Sequence, residues 1–376
     1  MGDVEFFHFH LDDDELQEYR EAPVEVKQRM SVIDREVRDR AKADKCYYCK
    51  KSVSSFCNSH SVPKFCLRRI APAGIVLSAG KPLNIPFIDG EEGLQKAGTF
   101  RLICKKCDGR IFQAYENRDA YTNIPTGQIL AQIAMKNILQ LISKRRYAIA
   151  QNRVLADIDI GHYLLVEDDT DWIANLDLDE YEHAFFHAKV GSLGKHDKYY
   201  RLLFSRILNY VVPLAAQAGI TLVCDLQGHV INDIYNTDNR YRTEMIHIAI
   251  LPLESTSVVM AFVDSRDKRY NSFARQLKSL ALDDQLLVLL YIVIAYSENV
   301  FYSKALESLL AEHQGIRYAA QLDTSVLLDS PLSERLPAAC AVFDLNKRFT
   351  IPNLLTQEYA ITAEFCVIKH HEGDNA

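Results

Sequence analysis

Cys46-Tyr-Tyr-Cys49 and Cys104-Lys-Lys-Cys107 are two Cys-x-x-Cys pairs with 54 residues between them. Two thiolate pairs with this local spacing are typical of a tetrahedral zinc site with four sulfur ligands. Six of the nine cysteines fall between residues 46 and 107, and nine are too few for a disulfide scaffold in 376 residues. Neither pair follows a strand of a βαβ unit, which argues against a thioredoxin-like redox site. The sequence therefore predicts structural zinc held by all four cysteines.

The surroundings of the two pairs predict a treble clef, the ββα-metal arrangement. The first pair is typical of a knuckle at a hairpin turn. Residues 99–103 predict a strand that enters Cys104, and residues 108–117 a short helix that carries Cys107 in its first turn. We expect a zinc-stabilised module over residues 44–118, in which the metal substitutes for a large core. Cys57 and Cys66 are expected to be small buried residues, although Cys57 lies close enough to the knuckle to compete as a ligand.

The rest of the chain predicts an α+β protein in four segments. Residues 1–43 form a helical segment that packs on the zinc module, residues 119–150 a connecting helix, and residues 151–376 a larger mixed α+β domain. In that domain the apolar runs predict strands at 162–166, 220–224, 247–251 and 258–263, and helices at 198–217, 270–280, 283–297 and 303–313. The stretch KYYRLLFSR (198–206) is interpreted as a helix with an apolar face and a basic rim.

Charge and hydropathy limit the class of partner. The chain has a net charge of −7, yet residues 41–110 carry 13 basic and only five acidic side chains. A basic module on an acidic chain suits a nucleic-acid backbone, although a solvated mixed-charge surface is the simpler alternative. The longest apolar run, 286–296, is about half of the roughly 20 residues that a membrane span needs. Without a secretory signal, the sequence predicts a cytoplasmic protein with no membrane contact.

One histidine stands out between the two cysteine pairs. In the stretch Ser59-His60-Ser61-Val62-Pro63, His60 and Pro63 follow the first knuckle closely. This pattern resembles the zinc-bearing branch of the HNH endonuclease family, which places a His-x-x-Pro element after a knuckle and a functional residue directly after the last cysteine. Thr99 lies at the family's asparagine position and Asp108 at its final histidine position. The resemblance covers about 44–118, a fifth of the chain.

The resemblance implies a mechanism and a set of roles. His60 would be the general base for a water that attacks the scissile phosphate. Asp108, with Glu116 as a second ligand, would hold Mg²⁺ or Mn²⁺. Thr99 would orient the histidine, and Ser59 fills the position of the family's acidic residue. Three basic residues would hold the nucleic-acid backbone, namely Lys64, Arg68 and Arg69.

The sequence also departs from the family, because Ser59, Thr99 and Asp108 replace its usual acid, asparagine and histidine. We therefore carry three hypotheses. The first is a metal-dependent nuclease that hydrolyses DNA rather than RNA, with a prokaryotic defence or toxin role suggested by analogy alone. The second is a non-catalytic, zinc-stabilised nucleic-acid-binding or protein-interaction module. In the third, the 151–376 half does the work through a partner protein and the zinc module is a docking element. Under the first hypothesis, that half would sense, regulate or oligomerise.

Overall fold

The computed structural model describes residues 23–78, 91–157, 167–194, 198–236, 238, 240–322 and 331–362. Its helices are α1 Pro23–Arg40, α2 Lys64–Ile70, α3 Lys105–Ile111, α4 Gly127–Asp157, α5 Glu167–Leu193, α6 Asn271–Ser279, α7 Leu282–Tyr296, α8 Glu307–Glu312, α9 Gln314–Ala320 and α10 Leu332–Val342. Its strands are β1 Ser59–His60, β2 Ile75–Ser78, β3 Glu91–Gly93, β4 Thr99–Phe100, β5 Tyr200–Leu208, β6 Leu214–Ile220, β7 Ile246–Pro252, β8 Ser257–Asp264 and β9 Val300–Tyr302. The chain is a mixed α+β protein, as predicted.

A seven-stranded antiparallel sheet organises most of these elements, in the order β3-β2-β9-β6-β7-β8-β5. Strands β2 and β3 come from the region between the two cysteine pairs, and β2 pairs directly with β9 through Leu77 and Tyr302. The zinc-module region therefore contributes two strands to the sheet of the C-terminal half. The remaining short pair, β1 with β4, forms a separate two-stranded sheet beside the cysteines.

The sheet is buried on both faces, which explains why its central strands are apolar almost throughout. Successive side chains of a strand point to opposite faces. On β8, Met260 and Phe262 join the core that contains α4 and the cysteine region, whereas Val259 and Ala261 join the core that contains α6 and α7. The architecture is thus a sheet between two layers. The cysteine region lies on the α4 side.

Helix α4 is the scaffold on which the cysteine region rests. Residues Ile129 to Leu139 are all buried, because the helix is enclosed between the sheet, the cysteine region and α5. Helix α1 packs Ile33 and Val37 against Val154 near the other end of α4. We expected this N-terminal segment to pack on the zinc module. Among the described residues of this segment, Ala43 joins the apolar core of the cysteine region, whereas Ile33 and Val37 of the helix pack on α4.

Several predicted elements are confirmed and two are wrong. The connecting helix expected within 119–150 and the helices expected at 270–280 and 283–297 correspond to α4, α6 and α7, and the strands expected at 247–251 and 258–263 correspond to β7 and β8. The stretch 198–217 is not a helix but the two strands β5 and β6. Pro213 stands between them and cannot donate the backbone hydrogen bond that a continuous helix requires there. The strand expected at 220–224 is also wrong, because β6 ends at Ile220 and residues 221–224 follow it as a loop. The strand expected at 162–166 lies outside the described residues.

The apolar run 286–296 is the core helix that its length predicted. Helix α7 has 15 residues, and those from Leu286 to Ala295 are all buried. Among the described residues, no helix combines the length and the apolar character that crossing a bilayer requires. Near this helix, Cys224 and Cys340 form a disulfide that the sequence analysis did not predict. It ties the loop after β6 to α10.

A chain of buried polar side chains joins the cysteine region to the sheet through α4. Tyr115 donates its hydroxyl hydrogen to Gln217 on β6 at 2.7 Å, and the amide of Gln217 donates to Asn137 on α4 at 2.9 Å. Asn137 in turn donates to Nδ1 of His247 on β7 at 3.2 Å. Because this ring nitrogen accepts a hydrogen bond, His247 is neutral in the fold. Its burial lowers its pKa to about 3 from 6.5.

This buried histidine predicts a loss of stability in acid. The unfolded chain binds a proton at His247 below pH about 6.5 while the folded chain does not, so the free energy of unfolding falls as the pH falls from 6.5 towards 3. Between pH 6.5 and 5 we expect a loss of about 2 kcal/mol. This loss is measured by urea denaturation of the wild type and of His247→Gln at both pH values. An equal pH dependence in the two proteins would contradict the assignment.

Candidate functional site

The four cysteines of the two pairs come together as the sequence predicted. The sulfur atoms of Cys46, Cys49, Cys104 and Cys107 all lie within 4.8 Å of one another. Cys46 and Cys107 are buried and the other two are half-buried. Four thiolates with Zn–S bonds of about 2.3 Å are the standard closed set for structural zinc. The cluster can hold a metal ion, and its donor set is consistent with structural zinc.

The backbone around the first pair is shaped as a tight hairpin. A β-bridge joins Lys45 to Ser52, and Lys50 adopts a left-handed φ of 58° that closes the turn. One backbone N–H group of this turn and one of the second pair point at sulfur atoms. The backbone N–H of Lys51 lowers the pKa of Cys49 to about 7, and that of Cys104 donates to Cys46 Sγ at 3.3 Å. Such bonds favour the thiolate form that binds metal.

The second sheet and α3 bring the predicted catalytic residues next to this cluster. Ser59 pairs with Phe100 and His60 with Thr99 in the β1–β4 register. Helix α3 starts directly after Cys104, so Asp108 lies in its first turn and faces the strand pair. As a result, the Ser59 hydroxyl donates to Asp108 Oδ1 at 2.5 Å.

A fully buried lysine completes the group. Lys136 Nζ donates to Ser59 Oγ at 2.7 Å and to Asp108 Oδ1 at 3.1 Å, and it lies 3.5 Å from Glu116 Oε1. Its ammonium also lies 4.1 Å from the centre of the Phe112 ring. The lysine side chain has no solvent exposure, whereas the side chains of Asp108 and Glu116 are 16% and 47% exposed. We call Ser59, Asp108, Glu116 and Lys136 the lysine–carboxylate cluster.

The two carboxylates of this cluster respond differently to their surroundings. Burial disfavours the charged form of Asp108, but the charge of Lys136 and the hydrogen bond from Ser59 outweigh it, so the Asp108 pKa is lowered. Burial dominates at Glu116 and raises its pKa, because Lys136 is more distant there and Asp108 adds a like charge. Asp108 is therefore the main counter-ion of Lys136. Glu116 is the weaker partner.

His60 is presented as a base. Its Nε2 lies 2.9 Å from the carbonyl oxygen of Leu94. A carbonyl can only accept, so Nε2 carries the ring proton and Nδ1 keeps its lone pair. Burial lowers the His60 pKa, and the charges of Lys64 and Lys136 lower it further. The ring is therefore neutral at neutral pH.

Other residues that the sequence singled out are placed less directly. Thr99 pairs with His60 across the strands, but its hydroxyl donates to the Lys96 carbonyl oxygen. Glu116 is not on the helix of Asp108, since α3 ends at Ile111 rather than at 117; turns after that end bring it to Lys136. Cys57 is not in the cysteine cluster, because its thiol donates to Asp108 Oδ2 at 3.4 Å.

The three basic residues expected at a phosphate backbone all lie on α2. Lys64 starts this helix, near enough to His60 to lower its pKa, and donates to Gln95 at 2.7 Å. Arg68 and Arg69 lie in the last turn, the first exposed and the second half-buried. Helix α2 thus places positive charges along one side of the site, from Lys64 near His60 to the two arginines in its last turn.

Lys136 is the member of this cluster that was not predicted from the sequence, although a signal was present. It is the single charged residue in the otherwise apolar or amide stretch 127–142. Gln132 lies one turn earlier on the same helix face and accepts a hydrogen bond from the Tyr115 N–H. A lone lysine within a buried helical stripe needs a buried partner. The lysine therefore predicted a buried carboxylate as its partner.

No protein-family model matches this chain, and neither a curated protein nor a solved structure does.

Proposed function

We propose that this protein is an HNH-like nuclease whose cysteine cluster holds structural zinc in a treble clef. The observation that supports it is the common placement of His60, Ser59 and Asp108. One short strand pair and one helix start bring them together beside the four cysteines. The histidine, neutral and with a free Nδ1, has the protonation state that a general base requires. The basic helix α2 beside it suits a polyanionic substrate.

The proposed reaction is hydrolysis of a phosphodiester bond, with DNA favoured over RNA. Nδ1 of His60 takes one proton from a water molecule, and the water oxygen forms a new bond to phosphorus. The bond from phosphorus to the leaving oxygen breaks, and that oxygen takes a proton from solvent. His60 then releases its proton to solvent, so one water is consumed per bond cut. Lys64 lies where it can meet the charge of the phosphate.

A divalent ion does not fit the residues that the family resemblance assigns to it. Ser59, Asp108 and Glu116 already converge on the ammonium of Lys136, at 2.7, 3.1 and 3.5 Å. A doubly charged ion about 4 Å from a lysine would be repelled by roughly 8 kcal/mol at an effective dielectric constant near 20, which offsets part of its attraction to Asp108 and Glu116. We therefore route no step of the reaction through Mg²⁺ or Mn²⁺.

The test is DNA cleavage by the purified full chain. Plasmid and linear DNA are incubated with wild type, His60→Ala and His183→Ala, with and without Mg²⁺, and zinc content is measured on each sample. We expect His60→Ala to lose about 10²- to 10⁴-fold in rate while it keeps its zinc. His183→Ala is the matched control, because His183 is exposed on α5 and contacts Asp179 within that helix. Equal rates for wild type and His60→Ala would refute the proposal.

A second function is favoured by one specific observation. Both carboxylate oxygens of Asp108 already accept hydrogen bonds, from Ser59 and Lys136 on one side and Cys57 on the other. A carboxylate whose two oxygens both accept hydrogen bonds within the protein is also typical of a structural ion pair. A non-catalytic nucleic-acid-binding module would bind DNA or RNA without cutting it, and His60→Ala would leave the affinity unchanged. The full chain is needed for either assay, because β2 loses its partner β9 if the C-terminal half is removed.

A further inference from the structure

Three side chains at the family's metal position contact the ammonium of Lys136, where the family has a divalent metal ion. By the resemblance, Ser59 and Asp108 occupy the positions that flank the divalent ion, and Glu116 is the added carboxylate. Lys136 Nζ lies within 3.5 Å of an oxygen of each of them. An ion placed among these oxygens at the usual Mg–O distance of about 2.1 Å would have to displace the ammonium.

The ammonium cannot leave easily. Lys136 is in the middle of α4, where its neighbours Met135 and Asn137 are also buried, and its side chain has no exposed surface. The Phe112 ring lies 4.1 Å from the ammonium and the Phe100 ring 6.0 Å. A long lysine on a helix surface can swing its charge into water, whereas the Lys136 side chain has no exposed surface and its ammonium is held by three oxygens.

From this arrangement we infer that Lys136 is the resident cation of the site and takes the place of a divalent ion, so that the site binds neither Mg²⁺ nor Mn²⁺. Its catalytic consequence, hydrolysis at His60 in the presence of a chelator, rests on the proposed function. Lys136 is a positioning residue, because its buried Nζ cannot touch a phosphate. It neutralises Asp108 and fixes the Ser59 hydroxyl through a hydrogen bond, on the strand that carries His60.

The first measurement is Mn²⁺ binding, which needs no activity. Free Mn²⁺ is followed by electron paramagnetic resonance while zinc-loaded full chain is added. We compare wild type with Lys136→Met, and use Lys144→Met as the matched control, since Lys144 is on the same helix but half exposed and paired with Glu298. Wild type and Lys144→Met should bind no Mn²⁺ at millimolar concentrations. Lys136→Met should bind it at least about tenfold more tightly, because two carboxylates lose their cation.

Two results of this measurement would overturn the inference. One is a wild-type Mn²⁺ site that Asp108→Asn removes. The other is a folded Lys136→Met that binds Mn²⁺ no better than Lys144→Met. If Lys136→Met does not retain zinc, Lys136→Gln replaces it, because the amide keeps a donor for Ser59 without the charge.

The second measurement separates this inference from the proposed function. Cleavage by wild type is followed in EDTA, with zinc content checked on the same sample. Cutting that persists in the chelator and falls about 10²-fold in Lys136→Gln supports the inference. Cutting that requires added Mg²⁺ overturns it and leaves the nuclease proposal intact. Absence of cutting under every condition refutes the nuclease proposal, and the Mn²⁺ measurement then decides the identity of the resident cation by itself.

Discussion

Replacing Cys107 with serine should abolish zinc binding and unfold the region around the four cysteines. Structural zinc contributes about 10 kcal/mol or more to the folding of small zinc domains, and a missing thiolate opens the tetrahedral set. Cys107 is buried in α3, next to Asp108. The loss should therefore reach the lysine–carboxylate cluster as well. Zinc content, with hydrogen exchange resolved by residue, measures both effects.

The expected damage is local, since the cysteine region does not stand alone. Leu102, Ile103 and Phe112 share one apolar core with α4 and the sheet. Amide exchange should accelerate at 44–57 and 101–111, while β7 and β8 stay protected. Cys57→Ser is the matched control, because its sulfur lies outside the four-cysteine group and serine keeps a donor towards Asp108. A Cys107→Ser variant with full zinc content and unchanged exchange would show that the cluster is not a zinc site.

Asp108→Asn should destabilise the protein by about 3 kcal/mol at neutral pH. Removing one partner of a buried ion pair leaves the other charge without compensation. Here the remaining partner would be Lys136, with only the more distant Glu116 left to balance it. Lys136→Met should cost a similar amount, because it leaves Asp108 and Glu116 without their cation. Urea denaturation monitored by circular dichroism measures both values.

The double variant Asp108→Asn/Lys136→Met measures the interaction energy between the two charges. Its free energy of unfolding should lie above the value expected from adding the two single losses, by about 1–3 kcal/mol. The exposed pair Lys144–Glu298, whose side chains are 41% and 56% exposed, is the control cycle and should show less than about 1 kcal/mol. Strict additivity at Asp108 and Lys136 would mean that the two charges do not stabilise each other.

The pH dependence of the Asp108 effect has a fixed sign. The folded-state pKa of Asp108 is lower than its unfolded value of 3.8, so its contribution is complete above pH about 4 and is lost as the pH falls through the folded value. The stability difference between wild type and Asp108→Asn should therefore shrink at pH 3. A difference that stays constant from pH 7 to pH 3 would contradict an ionised Asp108 in the fold.

Long elements were predictable from the sequence, and short strands were not. Helix α7 is predictable because it is an apolar run too short for a membrane span. Strands β7 and β8 are predictable because they contain runs of branched residues. In contrast, β2 has four residues and β3 has three, which is too few to show a periodic pattern. Their place in the sheet depends on pairing with β9, more than 200 residues further along the chain.

By itself, the sequence determined which four cysteines form one cluster, because two Cys-x-x-Cys pairs carry their geometry in their spacing. The expectation that a histidine, a serine and an aspartate lie beside them came only from the resemblance to the HNH endonuclease family. Only the tertiary structure decided which cation those side chains hold. Lys136 reaches Asp108 because α4 packs under the strand pair, at a separation of 28 residues. Burial keeps its charge there, and no local pattern around Asp108 encodes that contact.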